Sequence, residues 1–173
     1  MVWNNQSVKT GTVVRFLALM ISVVMLGSCY SFTGASIPPH LNRIHIPNFQ
    51  DKSGAGISNL KEDLTQLVTN KIITQSSLEL STPQNADCVL EGNIKSYTNQ
   101  PFLVSGASSN TKRVTIRVEV NYRDLVKRQT IWTQDFEGWG EYLDSGTDAE
   151  SSAAKDALTK ISNEIFSKVV SSW

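Results

Sequence analysis

Few side chains in this sequence could do covalent chemistry, and the best placed of them is Cys29. The chain holds two cysteines and two histidines in 173 residues. Cys29 closes the stretch Leu26-Gly27-Ser28-Cys29, directly after the eleven-residue apolar run Phe16–Leu26. A transmembrane helix needs about 20 apolar residues, so that run is too short to span. A polar segment carrying Lys9, then Arg15, a short apolar core and a small-residue exit describe a secretory signal. Ordinary signal cleavage needs no cysteine. A Leu, two small residues and Cys form the bacterial lipobox, in which the Cys29 sulfur takes a diacylglycerol thioether and Cys29 becomes the acylated N-terminus. One acyl chain anchors only marginally, and lipoproteins of this kind carry two or three. Tyr30 follows the cysteine where an Asp would favour retention in the inner membrane, so sorting to the outer membrane is expected.

No other group reads as catalytic. A nucleophile needs a base and an orienting partner; His40 and His45 stand in no such motif, and Cys88 falls on an apolar strand face, which makes it a buried small residue. Two histidines and one free thiol are too few for a zinc site. Asp144, Asp148 and Glu150 are spaced as helix-cap acids and not as calcium ligands. Gly54 and Gly56 precede a helix without the Lys-Ser/Thr pair of a phosphate loop. The sequence therefore indicates no enzyme, no metal and no cofactor. Charge is balanced, 16 basic against 16 acidic residues, and losing Lys9 and Arg15 with the signal leaves the mature chain slightly acidic. Nothing argues for nucleic acid. With Cys29 acylated, Cys88 has no disulfide partner, so packing must hold the fold.

The elements that frame these residues follow from periodicity. Residues 1–28 form the signal peptide and 29–41, with Pro38-Pro39, an extended lipidated leader; 42–173 form a single α+β domain. Arg43–Gln50 alternates Ile44 and Ile46 against Arg43, His45 and Phe49. Pro47 marks it as an edge strand or one interrupted near its end. Ile57, Leu60, Leu64, Leu67, Val68 and Ile72 trace a helical stripe to about Gln75. Three strands follow. Ala86, Cys88, Leu90 and Ile94 share the inner face of the first; Val114, Ile116, Val118, Val120 and Tyr122 that of the second; Trp132 and Phe136 are the inward pair of the third. Thr147 and Glu150 fit a capping box before a helix whose stripe runs from Ala153 to Trp173, which should tuck under the sheet. The order β-α-β-β-β-α predicts a two-layer sandwich: a four-stranded, mostly antiparallel sheet with both helices packed on one face.

The opposite sheet face then carries Arg113, Thr115, Arg117, Glu119, Asn121 and Arg123 from the central strand. It is either a solvated face or a binding surface. The longest loop, Thr98–Lys112, holds Phe102, Leu103 and Val104 beside Lys112 and Arg113. Apolar surface next to positive charge suits a partner protein or an amphiphile with acyl chains and phosphates.

The lipobox, "YSFTGASIPPHLNRIHIPNF", "ADCVLEGNIKSY", "VTIRVEVNYRD" and the terminal "FSKVVSSW" together resemble the LptE family of lipopolysaccharide-assembly lipoproteins. The resemblance implies two helices on a four-stranded sheet. It also implies a domain seated in the lumen of the outer-membrane β-barrel LptD, assisting barrel assembly and lipopolysaccharide transport to the cell surface. Some members bind lipopolysaccharide through basic residues; Lys112, Arg113, Arg117, Lys127 and Arg128 are the candidates here by charge and location. Phe102, Leu103 and Val104 are the candidate partner-binding loop. A rival likeness covers only "IHIPNFQDKSG", which resembles the first strand and turn of envelope lipoproteins that activate penicillin-binding proteins or build secretion pores.

Overall fold

Pro47 divides the first strand in the computed structural model, which describes residues 37–102, 111–143 and 147–171. The halves are β1 (Arg43–His45) and β2 (Gln50–Asp51). Helix α1 (Leu60–Gln75), β3 (Glu79–Leu80), β4 (Cys88–Pro101), β5 (Thr111–Asp124), β6 (Gln129–Leu143) and α2 (Thr147–Ser171) follow. The sheet is therefore mixed and six-stranded, not four-stranded and mostly antiparallel. Its order is β3-β1-β4-β5-β6, with β2 also pairing β4. β1 runs parallel to both β3 and β4 and so lies inside the sheet and not at its edge; of the two sequence alternatives, the strand interrupted near its end is the one formed. Two residues per strand are too few to show alternation, which is why β2 and β3 were not legible. A parallel pair needs a crossover, and α1 supplies it between β1 and β3.

The break at Pro47 also resets the strand's phase. Phe49, expected opposite Ile44, is 1 % exposed in the same core. Its ring lies where a side chain at Gly92 of β4 would stand, so that close approach requires glycine. The Phe49 amide donates to Thr65 Oγ1 of α1 at 3.0 Å. Helix α1 begins at Leu60 and leaves Ile57 outside it, while Leu60, Leu64, Val68 and Ile72 are buried as expected. The leader's last residues belong to the domain: Leu41 is buried and Ile37 packs against the core.

Both helices lie on one face of the sheet and share one core with it. α2 comes closest to β6. A Cβ on Gly138 or Gly140 would collide with the backbone of Ala157 or Ala153, so glycines facing alanines set the helix almost against the strand. A bulge between Ile94 and Ser96 shifts β4's alternation and turns Tyr97 toward the helices. Its hydroxyl donates to Glu150 Oε1 at 2.7 Å, so the carboxylate expected to close a capping box holds a strand tyrosine. Trp173 lies outside the described residues.

Candidate interaction face

The helix-free face of β4, β5 and β6 is built by alternation, and its charges are paired across strands. Arg113 bonds Glu141 and Arg117 bonds Glu137, each the register partner on β6. On the β4 side Lys95 Nζ lies 3.2 Å from Glu119 Oε2, and Arg123 reaches both oxygens of Glu91 at 3.1 Å. Opposite charges on neighbouring strands contribute roughly 0.2–1 kcal/mol each. The face is thus polar and largely self-neutralised.

One end of it is different. The Arg113 guanidinium carbon sits 3.4 Å from the centre of the Phe102 ring and 4.5 Å from that of Trp139. Lys160, on α2, reaches around the edge strand to within 3.3 Å of the same indole's centre. Trp139 stands opposite Thr115, between the two Arg–Glu pairs, and is 41 % exposed. Each such cation–aromatic contact contributes about 0.5–1 kcal/mol at exposed sites. The result is a partly open cluster of two cations and two aromatic rings, with Glu141 as the acidic partner of Arg113. It can take an apolar group and an anionic or acceptor group side by side.

The five basic candidates do not converge. Arg113 and Arg117 share this face, four residues and about 13 Å apart along β5. Lys112, next in β5, alternates to the other side and pairs in register with Tyr142. Lys127 and Arg128 lie in the turn between β5 and β6, beyond Asp124 at the far end of the strand, about 36 Å from Arg113. No single headgroup bridges that distance. Phe102 is part of the cluster. Leu103, Val104 and the lipidation candidate Cys29 lie outside the described residues. Sequence reasoning missed Trp139 and Lys160. The first was recoverable, because Phe136 facing inward forces Trp139 outward; the second carries no signal, since only the packing of α2 on β6 brings it there.

The other titratable groups are structural. Cys88 is fully buried; its Sγ lies 3.4 Å from the Tyr122 hydroxyl, and burial pushes the thiol up to about 11. Burial likewise pushes the Tyr97 and Tyr122 hydroxyls up. His40 places Nε2 2.8 Å from Oδ2 of the buried Asp124. His45 contacts the Ser81 carbonyl at 3.2 Å. Among the described residues no group of three His, Cys, Asp or Glu side chains could hold a metal.

The family model described as LptE, lipopolysaccharide-assembly, matches residues 41–171. Among solved structures, protein XCC0632 from Xanthomonas campestris is similar at TM-score 0.59 and 12% identity, covering 80% of this chain and 91% of that one. A hypothetical protein from Chlamydia trachomatis is similar at TM-score 0.51 and 9% identity, covering 75% and 94%. A minor lipoprotein from Acinetobacter baumannii gives 0.48 and 16%, covering 77% and 93%. No curated protein matches the chain.

Proposed function

The chain belongs to the LptE lipopolysaccharide-assembly family, and from that membership we propose that it is a non-enzymatic outer-membrane lipoprotein acylated at Cys29. Residues 1–28 are its signal peptide, 29–41 lead from the lipid on Cys29 into the domain, and the domain plugs and helps assemble the LptD barrel while assisting lipopolysaccharide transport. The observation that carries this reading is the ion-paired face of β4–β6. A barrel lumen is polar and wet. Charges that enter it already paired avoid the large penalty of an uncompensated buried charge.

The exposed cluster at one end of that face supplies the remaining chemistry. Trp139 and Phe102 offer apolar surface, while Arg113, with Lys160 beside it, offers donors to phosphate. Of the basic candidates, Arg113 and Arg117 stand on the face that would meet lipopolysaccharide; Lys127 and Arg128 are too remote to join them. Photo-crosslinkers at Thr115, Arg117 and Phe102 should capture one large outer-membrane barrel in cells. Depleting the protein should lower the amounts of assembled barrel and surface lipopolysaccharide. Capture of a cell-wall synthase, or of further copies of the chain in a ring, would replace this reading with the rival one.

A further inference from the structure

One buried carboxylate ties the N-terminal approach of the chain to a single turn of the sheet. Asp124 Oδ2 contacts His40 Nε2 at 2.8 Å, and its Oδ1 accepts from the Lys127 amide, also at 2.8 Å. The Leu125 amide donates to the Asp87 carbonyl at 2.9 Å, and Asp87 in turn binds Arg43 next to the entering strand. Leu41, 2 % exposed, locks the same segment into the core. The chain therefore enters the domain beside the β5–β6 turn, at the end of β5 opposite the aromatic cluster.

That turn, Leu125–Arg128, is unlike the rest of the surface. Val126 is 57 % exposed, and Lys127 and Arg128 are exposed beside it. Among the described residues neither cation side chain is part of an ion pair, whereas the nearby acids Asp87 and Asp124 are already engaged by Arg43 and His40. Only eight chain steps, through seven intervening residues, separate Cys29 from Ile37, where the described chain begins. Fully extended they span at most about 29 Å. A lipid on Cys29 confines this end of the domain near the bilayer and leaves the Arg113 end about a strand length further away.

We infer that the hairpin tip Val126-Lys127-Arg128 docks on the headgroup surface of the anionic phospholipid bilayer that holds the lipid anchor. The inference rests on the acylation of Cys29. Two cations and one aliphatic side chain would bind a membrane weakly on their own. A tethered contact is intramolecular, with an effective concentration in the millimolar range, so a weak contact suffices. Lys and Arg are drawn to an anionic surface only within about a Debye length, roughly 8 Å at physiological salt, which the short tether allows.

The test uses the full acylated chain, purified from membranes and reconstituted into phosphatidylethanolamine–phosphatidylglycerol vesicles carrying headgroup spin labels. An environment-sensitive thiol dye is placed at Val126→Cys or, at the far end, Leu143→Cys. Cys29 is blocked as its thioether and Cys88 is buried, so neither takes the dye. The dye at position 126 should be quenched and the dye at 143 should not. The quenching should be lost in high salt, in phosphatidylcholine vesicles, and in the Lys127→Glu/Arg128→Glu variant, whose fatty-acid label remains. An acylated chain whose tip is not quenched, or is quenched no more than position 143, overturns the proposal and leaves the anchor intact. A chain that takes no fatty-acid label overturns both.

Discussion

The Lys160 ammonium lies 3.3 Å from the centre of the Trp139 ring and donates to that residue's own carbonyl at 2.8 Å. A helix side chain thus caps a backbone acceptor on the free edge of the sheet, with a charge where another strand would have to pair. Lys160→Ala should cost only about 1 kcal/mol in denaturant unfolding. Its larger effect should be on association: sedimentation should show more self-pairing of the domain, which Trp139→Lys should suppress.

Gly138 and Gly140 should be the least replaceable residues on β6, because α2 occupies the space of their missing side chains. Gly138→Val or Gly140→Val should destabilise by about 3 kcal/mol as an overpacking change. At Gly54 the space is open and only the left-handed backbone (φ +72°) resists a side chain, so Gly54→Ala should cost about 1 kcal/mol. Equal effects at the strand and loop glycines in urea titrations would contradict the close helix–strand contact.

Stability should fall in acid. The Arg43 guanidinium holds the Asp87 carboxyl below its ordinary value near 3.8, against the opposing effect of burial. Burial pushes Asp124 up, but the Lys127 amide, the His40 ring and the Val126 amide outweigh it and leave the group lowered from the same value. On acidification the unfolded chain protonates these groups first. Their contribution is therefore complete above the ordinary carboxylate value and is lost as pH falls through the depressed folded values. Asp124→Asn should lower neutral-pH stability by about 2 kcal/mol and flatten the acid dependence, measured as urea midpoints across pH.

Cys88 should be inert. Its thiol is buried, raised to about 11, and set beside the Tyr122 hydroxyl. A thiol reagent at neutral pH should modify it only through unfolding, slowly in buffer and rapidly in denaturant. Rapid modification of the native protein would mean that this strand face does not point inward.

Legibility followed the length of each element. β5 alternates for 14 residues, and its inner set, Val114 to Tyr122, is fully buried as read from sequence. The helical stripes were plain from Leu60 to Ile72 and from Ala153 to Val169, because three-and-four spacing accumulates over several turns, whereas Ile57 falls before its helix and is exposed. β2 and β3 are two residues each, held by their neighbours and not by their own pattern. Tyr97 was unreadable for a different reason: a bulge inverts every later side chain of its strand and leaves no compositional mark. The interaction face was half legible. Arg113 and Arg117 fall on it by alternation, but their pairing with Glu141 and Glu137, and the arrival of Lys160, depend on which strand and helix lie alongside.

The parallel placement of β1 also orders events in time. Arg43 and Ile44 find their register partners at Glu79, Leu80 and Cys88, far along the chain, whereas β5 meets β6 through a four-residue turn. Closing long loops costs more entropy and slows folding. The β4–β5–β6 meander with α2 can form early from local contacts, while the strand leading in from the N-terminus docks only once α1 has crossed over and β3 is in place. The strand at the N-terminal entry to the domain is therefore completed last, although it is the first to be made. In that interval the body of the domain is already shaped while the segment from 37 to 51 is still undocked.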